Sequence, residues 1–272
     1  MVRQRLISAA FIMVPFLIGI IAGGVWMQLA ALFFGGASVI EFVHLVARRG
    51  HRAFGGLMLL WVIAFVLDRS LPGVPLLEPS MALLLIATLA WALARFRQGT
   101  ANAFTGFAMT IGGAVYIGWS GAHLISLRAL PDGLFWTLIV MPSVWIADSA
   151  AYLVGRAFGR VRLVPDVSPS KTWEGYLGGV ILTPIFIAGL AMLWRSLGAG
   201  PAMTPGHGFI IGFLIAALSP LGDLGISMLK RYANAKDSSN WIPGHGCFLD
   251  RVDSVLVALL IGYYYLILFV RP

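Results

Sequence analysis

The chain has 272 residues, of which 59% are hydrophobic and 11% are charged. A soluble domain carries roughly 25% charged residues, so this composition excludes a water-soluble enzyme and a disordered chain. The formal net charge is +8, but the basic residues lie between apolar runs, which points to membrane topology rather than to a nucleic-acid partner.

Nine apolar runs follow one another along the chain. They cover residues 6–23, 26–46, 54–67, 77–94, 103–127, 134–155, 175–194, 208–229 and 252–270. A span needs about 20 apolar residues, and in lipid a helix satisfies its own backbone hydrogen bonds. We therefore predict an all-α, polytopic integral membrane bundle of about nine transmembrane helices. We interpret the first run as a span rather than as a cleaved signal peptide.

The positive residues predict the orientation of this bundle. With the N-terminus inside and the C-terminus outside, 15 of the 19 lysines and arginines fall on the inner side and four on the outer side. This asymmetry is the one that membrane proteins show. We assign residues 1–130, with spans one to five, to a scaffold that could also offer a dimer or lipid surface. Residues 131–272, with spans six to nine, are predicted to carry a catalytic cavity that faces the cytoplasm.

Acidic residues concentrate in two connections on the predicted inner side. Seven of the eleven acids lie there, namely Asp148, Asp166, Glu174, Asp223, Asp237, Asp250 and Asp253. Elsewhere, Glu41 lies within a span with His44 three residues later. For that pair we favour mutual pairing or packing inside the bundle over catalysis.

In the first connection, Asp148, Tyr152, Gly155 and Gly159 are spaced four, three and four residues apart, so they share one helix face. A carboxylate within a span usually faces a bundle interior or a wet cavity. For Asp148 we leave open a functional role, a structural hydrogen bond, or pairing with a nearby arginine. The two glycines favour close helix packing.

Ser168 and Pro169 follow in the same connection and predict an N-cap that opens the next helix. That assignment is compatible with Lys171 acting as an anion ligand. The connection would then bring a cation to the start of a membrane helix.

In the second connection, Ser227 follows Asp223 by one turn on one predicted helix face, and Lys230 or Arg231 follows by two turns. Asp250 and Asp253 share a face of the last helix. Between these helices lies a turn-rich loop that includes Pro243-Gly-His245-Gly246. Glycines there allow backbone N–H groups to approach a ligand closely.

Hard oxygen ligands without paired cysteines or histidines suit Mg²⁺ rather than zinc. Lysines and arginines that alternate with those carboxylates suit a polyphosphate. The alternative is a solvated, charged loop, but it does not explain why four aspartates accompany the cations. The sequence therefore predicts a magnesium-dependent phosphate site.

The pattern Ser227-x-x-Lys230-Arg231-x4-Lys236-Asp237, followed by Pro243-Gly-His245-Gly246-x-x-x-Asp250-Arg251-x-Asp253, resembles the signature of the phosphatidate cytidylyltransferases, or CDP-diacylglycerol synthases. The segments around Asp148 and from Ser168 to Gly175 match that family as well. One departure is Cys247, which stands where the family usually has a glycine.

The resemblance implies that CTP and phosphatidate react to CDP-diacylglycerol and pyrophosphate, with Mg²⁺ and with a second cation left open. Within that reaction we predict Asp223 and Asp250 as the leading metal ligands, with Asp253 as a third ligand or as a residue that orients them. The resemblance assigns catalytic phosphate contacts to the basic residues Lys230, Arg231, Lys236 and Arg251. It assigns substrate contacts to Ser168, Lys171, Ser227, Asp237, Gly246 and Asp148. His245 is either a donor to the leaving pyrophosphate or a residue that fixes the loop.

The implied location is the cytoplasmic (inner) membrane of a bacterial-type cell, with the active site facing the cytoplasm. The implied partners are CTP, phosphatidate and membrane lipids, with no nucleic acid, and a homodimer is left open. Three other functions compete with this one: an ether-lipid cytidylyltransferase, a polyprenol kinase and an ion or anion transporter. The concentration of polar residues toward one face argues against the transporter.

Overall fold

The computed structural model describes residues 14, 16–71, 73–235 and 247–270, and most of them are helical. The α-helices, numbered in chain order, are α1 Gly24–Ala47, α2 Gly55–Ser70, α3 Leu77–Arg97, α4 Ala103–Ala114, α5 Ser120–Ala129, α6 Gly133–Phe158, α7 Trp173–Ser196, α8 Pro205–Leu218, α9 Pro220–Tyr232 and α10 Leu249–Tyr265. A π-helical segment, Val115–Trp119, joins α4 to α5, and another, Leu266–Val270, continues α10. Two short strands, β1 Arg162–Val164 and β2 Ser168–Thr172, lie between α6 and α7.

Six helices in the described residues are long and apolar enough to cross a membrane. They are α1, α3, α6, α7, the combined segment Pro205–Tyr232, and Leu249–Val270. The third apolar run forms α2, which has only 16 residues, and the fifth is interrupted by the π-helical segment Val115–Trp119. Most of the first run lies outside the described residues. The prediction of an all-α membrane protein is confirmed, while the count of nine spans and their orientation stay predictions.

The described residues form two compact units. The first unit comprises Met1–Ile125 and Leu229–Val252, as far as they are described, and the second comprises Ser126–Met228 and Asp253–Pro272 on the same terms. The unit boundaries therefore pass through α9 and α10. The division of roles predicted for residues 1–130 and 131–272 stays a prediction.

In the first unit, α2 packs against α1, α3 and α4. The segment Leu229–Val252 joins this unit through apolar contacts with α1. Phe248 packs with Phe34 in one buried cluster, and Ala233 packs with Leu45 in another. Burial of these side chains fixes both ends of the segment against the first helix.

In the second unit, α6, α7 and α8 pack against one another. Small residues allow these helices to approach closely. A Cβ atom at Gly178 of α7 would lie 2.6 Å from Val154 of α6, and one at Gly208 of α8 would lie 2.7 Å from Ala191 of α7. Side chains larger than hydrogen would separate the three helices at these points.

The connection from α6 to α7 is an antiparallel β-hairpin, which the sequence reading missed. Ser168 pairs with Val164, and Thr172 pairs with Arg162. The prediction that Ser168 caps the next helix is wrong, because Ser168 begins β2 and the N-cap of α7 is Thr172. Its Oγ1 accepts a hydrogen bond from the N–H of Gly175 at 3.2 Å.

Candidate active site

A cavity of about 740 Å³ lies in the second unit, walled by α6, the hairpin and α7. Asp148, Tyr152, Gly155 and Gly159 all line it. The first three share one face of α6 as predicted, whereas Gly159 follows the end of that helix in an extended conformation. Cations contribute to the same wall through Arg156, Arg162 and Lys171. The remaining wall is largely apolar, with Ala147, Ala151, Leu163, Tyr176 and Ala216 among its residues. The cavity therefore offers both cationic and apolar surface to a ligand.

The charged centre of this unit is an ion pair between Lys171 of β2 and Asp223 of α9. Their side chains are 27% and 32% exposed, so the pair is accessible to solvent. Asp148 of α6 lies close enough to interact electrostatically with both residues. The structure thus brings together a lysine and two carboxylates from three elements.

Hydrogen bonds and close helix packing hold the hairpin that carries Lys171. Glu174, in the first turn of α7, accepts backbone hydrogen bonds from Arg160 at 3.1 Å and from Val161 at 3.2 Å, which closes the base of the hairpin. Gly155 of α6 packs against Gly175 of α7, with 3.4 Å between a Cβ at Gly155 and the Cα of Gly175. The close packing predicted for Gly155 is confirmed. Glu174 lies in the segment from Ser168 to Gly175 that matches the family, but it was not predicted as a site residue. Its place as an acid in the first turn of a helix was the signal that could have identified it.

Asp223 is held by the close approach of two helices. The preceding residue, Gly222, faces the backbone of α10, and a Cβ there would lie 2.7 Å from the carbonyl carbon of Asp253 and 3.0 Å from the Cα of Ser254. Asp253 itself is buried, and its Oδ1 accepts the N–H of Ser254 at 2.6 Å. Its role as a third metal ligand or an orienting residue stays a prediction.

The two predicted serines lie on the elements that carry Lys171 and Asp223. Ser227 is half-buried on α9, one turn after Asp223. Ser168 begins β2, two residues before Ser170, which lines the cavity. Their contacts with substrate stay predictions.

The first unit holds a second ion pair. Lys230, near the end of α9, binds the carboxylate of Asp250, in the first turn of α10, at 2.9 Å. These side chains are 15% and 22% exposed, less than the Lys171–Asp223 pair. Arg231 and Arg251 are exposed on the same two helices. The predicted residues Lys236, Asp237, His245 and Gly246 lie outside the described residues.

Within the part of the chain that the structure describes, no group of three or more His, Cys, Asp or Glu side chains is arranged to hold a metal ion. Magnesium does not require such a group, because it usually takes one or two carboxylates together with substrate phosphates and water. The oxygen donors of Asp148 and Asp223 fit that chemistry. The three predicted metal ligands stay predictions.

The fold and the site together define an all-α integral membrane protein with a cationic and acidic cavity suited to phosphate compounds. A family model described as the cytidylyltransferase family matches residues 3–269. The chain belongs to that family, and the members are nucleotidyltransferase enzymes.

Individual relatives share this assignment. A phosphatidate cytidylyltransferase of Bacillus subtilis is 30% identical over 278 residues, which cover 98% of each chain. One of Brucella suis is 34% identical over 257 residues, 92% of this chain and 87% of the relative. One of Haemophilus influenzae is 45% identical over 139 residues, but these cover only 49% of this chain and 46% of the relative.

Proposed function

We propose that the protein transfers a cytidylyl group from CTP to phosphatidate, with CDP-diacylglycerol and pyrophosphate as products. The observation that carries this proposal is the meeting of Lys171, Asp223 and Asp148 beside a cavity with further arginines and an apolar wall, in a member of the cytidylyltransferase family. The relatives described above are phosphatidate cytidylyltransferases, and two of them match nearly the whole of this chain.

The cavity suits an amphiphilic phosphate compound. Arg156 and Arg162 are exposed at its wall and can pair with phosphate oxygens. Large apolar side chains, among them Leu153 of α6 and Ile181 of α7, are exposed on the same helices. In a membrane protein such surfaces face acyl chains, so a lipid headgroup can reach the cations while its tails stay in lipid.

The reaction requires positioning more than proton transfer. A phosphomonoester such as phosphatidate has a second pKa of about 6, so its phosphate is largely ionised at neutral pH and can attack the α-phosphorus of CTP without a strong base. The new bond joins a phosphatidate oxygen to that phosphorus, and the bond to pyrophosphate breaks with its electron pair. Lys171 is placed to neutralise phosphate charge, and its pairing with Asp223 keeps the ammonium group at the cavity edge.

Magnesium is part of the proposal. Asp223 and Asp148 supply hard oxygen donors next to the lysine, and Asp250 and Asp253 are further predicted ligands. When bound, the ion would supply charge neutralisation at the phosphates. A second cation remains an open alternative. In the first unit, Lys230, Arg231 and Arg251 are proposed contacts of the triphosphate.

The finer topology also belongs to the proposal. Nine spans with the N-terminus inside would place the hairpin, the end of α9 and the start of α10 on the cytoplasmic side, where CTP is found. The proposed location is therefore the cytoplasmic membrane of a bacterial-type cell. The distribution of positive charge supports this orientation.

The test is an assay of purified protein in detergent with CTP labelled on its α-phosphate and with phosphatidate, with and without Mg²⁺. We expect label in a lipid product, release of unlabelled pyrophosphate, and dependence on the metal. Release of CDP with an unlabelled phospholipid product would indicate a lipid kinase. Turnover with an ether-lipid acceptor but not with phosphatidate would indicate an ether-lipid cytidylyltransferase. Ion flux into sealed vesicles without a lipid product would favour a transporter.

A further inference from the structure

Glu41 lies in the C-terminal half of α1, where its side chain is completely buried. Its two carboxylate oxygens each accept a backbone hydrogen bond from the start of α10. Oε1 accepts the N–H of Phe248 at 3.0 Å, and Oε2 accepts the N–H of Leu249 at 2.8 Å. These partners lie 207 and 208 residues away along the chain.

These two bonds cap a helix from a distant part of the sequence. The first N–H groups of a helix have no partner within the helix, and a nearby residue such as Ser or Asp usually accepts them. A carboxylate also interacts favourably with the helix dipole at that end. Because burying a carboxylate is costly unless its oxygens are hydrogen-bonded, Glu41 and the start of α10 depend on each other.

The capped turn carries one of the predicted catalytic residues. Asp250 follows Leu249 directly and binds Lys230 at 2.9 Å. Apolar packing reinforces the arrangement, since the ring of Phe248 lies 5.5 Å from that of Phe33 and 6.1 Å from that of Phe34, both of α1. The position and direction of the first turn of α10 are therefore set by α1.

The turn after α1 contacts the end of α9, the helix that carries Lys230. Arg49 donates hydrogen bonds to the backbone carbonyl of Tyr232, the last residue of α9, and to Oδ1 of Asn234 at 3.0 Å. Its guanidinium group also lies 5.4 Å from the centre of the Tyr232 ring. A cation at this end satisfies terminal carbonyl groups of α9, the helix that carries Lys230. Residues 41 and 49 thus fix the helix ends on both sides of the Lys230–Asp250 pair.

We infer that Glu41 is a positioning residue of the active site, which acts through the start of α10 to hold Asp250 against Lys230. This inference rests on the proposed function, because it gives Lys230 and Asp250 a part in the reaction. It assigns to the N-terminal helices a direct part in organising the site, beyond a scaffold. A local capping residue could satisfy the same N–H groups but would not tie them to α1.

The test compares Glu41→Gln with Glu78→Gln. Glutamine at position 41 keeps the size of the side chain and one acceptor oxygen, but it places an NH₂ group against a backbone N–H. Glu78 is exposed in the first turn of α3 and provides the matched control. Three quantities are measured for each variant: kcat and KM per folded molecule, the melting temperature in detergent, and hydrogen–deuterium exchange of the peptide that contains Phe248 and Leu249.

For Glu41→Gln we expect a roughly 10- to 100-fold loss of kcat, the range found when supporting residues around a site are removed. We also expect faster exchange at the start of α10, with both quantities unchanged in Glu78→Gln. A milder Glu41→Asp variant, which keeps the charge, should recover part of the kcat. The recovery distinguishes positioning from a general loss of folding.

Unchanged exchange at Phe248 and Leu249 in Glu41→Gln would overturn the inference. So would faster exchange with wild-type kcat, because α10 would then be anchored without consequence for the reaction. The exchange measurement does not require catalysis. If the wild-type protein makes no CDP-diacylglycerol, the proposed function fails, and with it the catalytic part of this inference, while the anchoring of α10 is still decided.

Discussion

The Lys171–Asp223 pair allows the site to be tested apart from the fold. We expect Asp223→Asn to reduce turnover by at least about 100-fold, equivalent to roughly 3 kcal/mol, because it removes a proposed oxygen ligand of the magnesium ion that neutralises charge on the reacting phosphates. Its effect on stability should be small. Both side chains are about one-third exposed, and an ion pair in that environment contributes at most about 1 kcal/mol to the free energy of unfolding.

The assay is the release of pyrophosphate from CTP and phosphatidate in detergent, with thermal unfolding of the same preparation measured in parallel. Asp166→Asn is the matched control, since Asp166 is exposed in the hairpin turn that leads to β2. It should keep both turnover and stability. Wild-type turnover by a folded Asp223→Asn protein would refute the assignment, and a large loss of stability would show that the pair is structural.

Three further predictions concern the supports of the site. Gly222→Ala should lower the melting temperature and the turnover because its Cβ would collide with the backbone of α10, whereas Gly225→Ala on the same helix, with nothing within 4 Å, should leave both unchanged. Thr172→Val removes the N-cap of α7 and should lower the free energy of unfolding by about 1 kcal/mol and also reduce CTP turnover. Thr204→Val, at the N-cap of α8, should lower the stability without reducing turnover. Glu174→Ala should make the hairpin more sensitive to limited proteolysis and raise KM, because two backbone N–H groups lose their acceptor; an unchanged cleavage pattern would contradict this.

Local patterns predicted the helical part of the molecule well. The apolar run 134–155 became α6, Gly133–Phe158, and the run 175–194 became α7, Trp173–Ser196. Helical spacing alone placed Asp148 and Tyr152 on one face, and both line the cavity. These predictions succeed because helix formation in lipid depends on residues close in sequence.

The hairpin between α6 and α7 was missed although it carries Lys171. Its signals were weak: three residues, Arg162–Val164, form β1, and a Pro-Asp turn follows. Strand pairing depends on a partner in the chain and on what closes the base, here Glu174. A pattern of 3 to 5 residues could not determine either of them.

Composition and apolar runs determined that this is a helical membrane protein, because transfer into lipid depends on the residue types themselves. The motif determined the family. Only the tertiary structure decided which charges meet: Lys171 with Asp223, Lys230 with Asp250, and Glu41 with the start of α10. Such pairings are decided by packing between distant segments, because only the folded chain brings groups that are far apart in sequence within reach of each other.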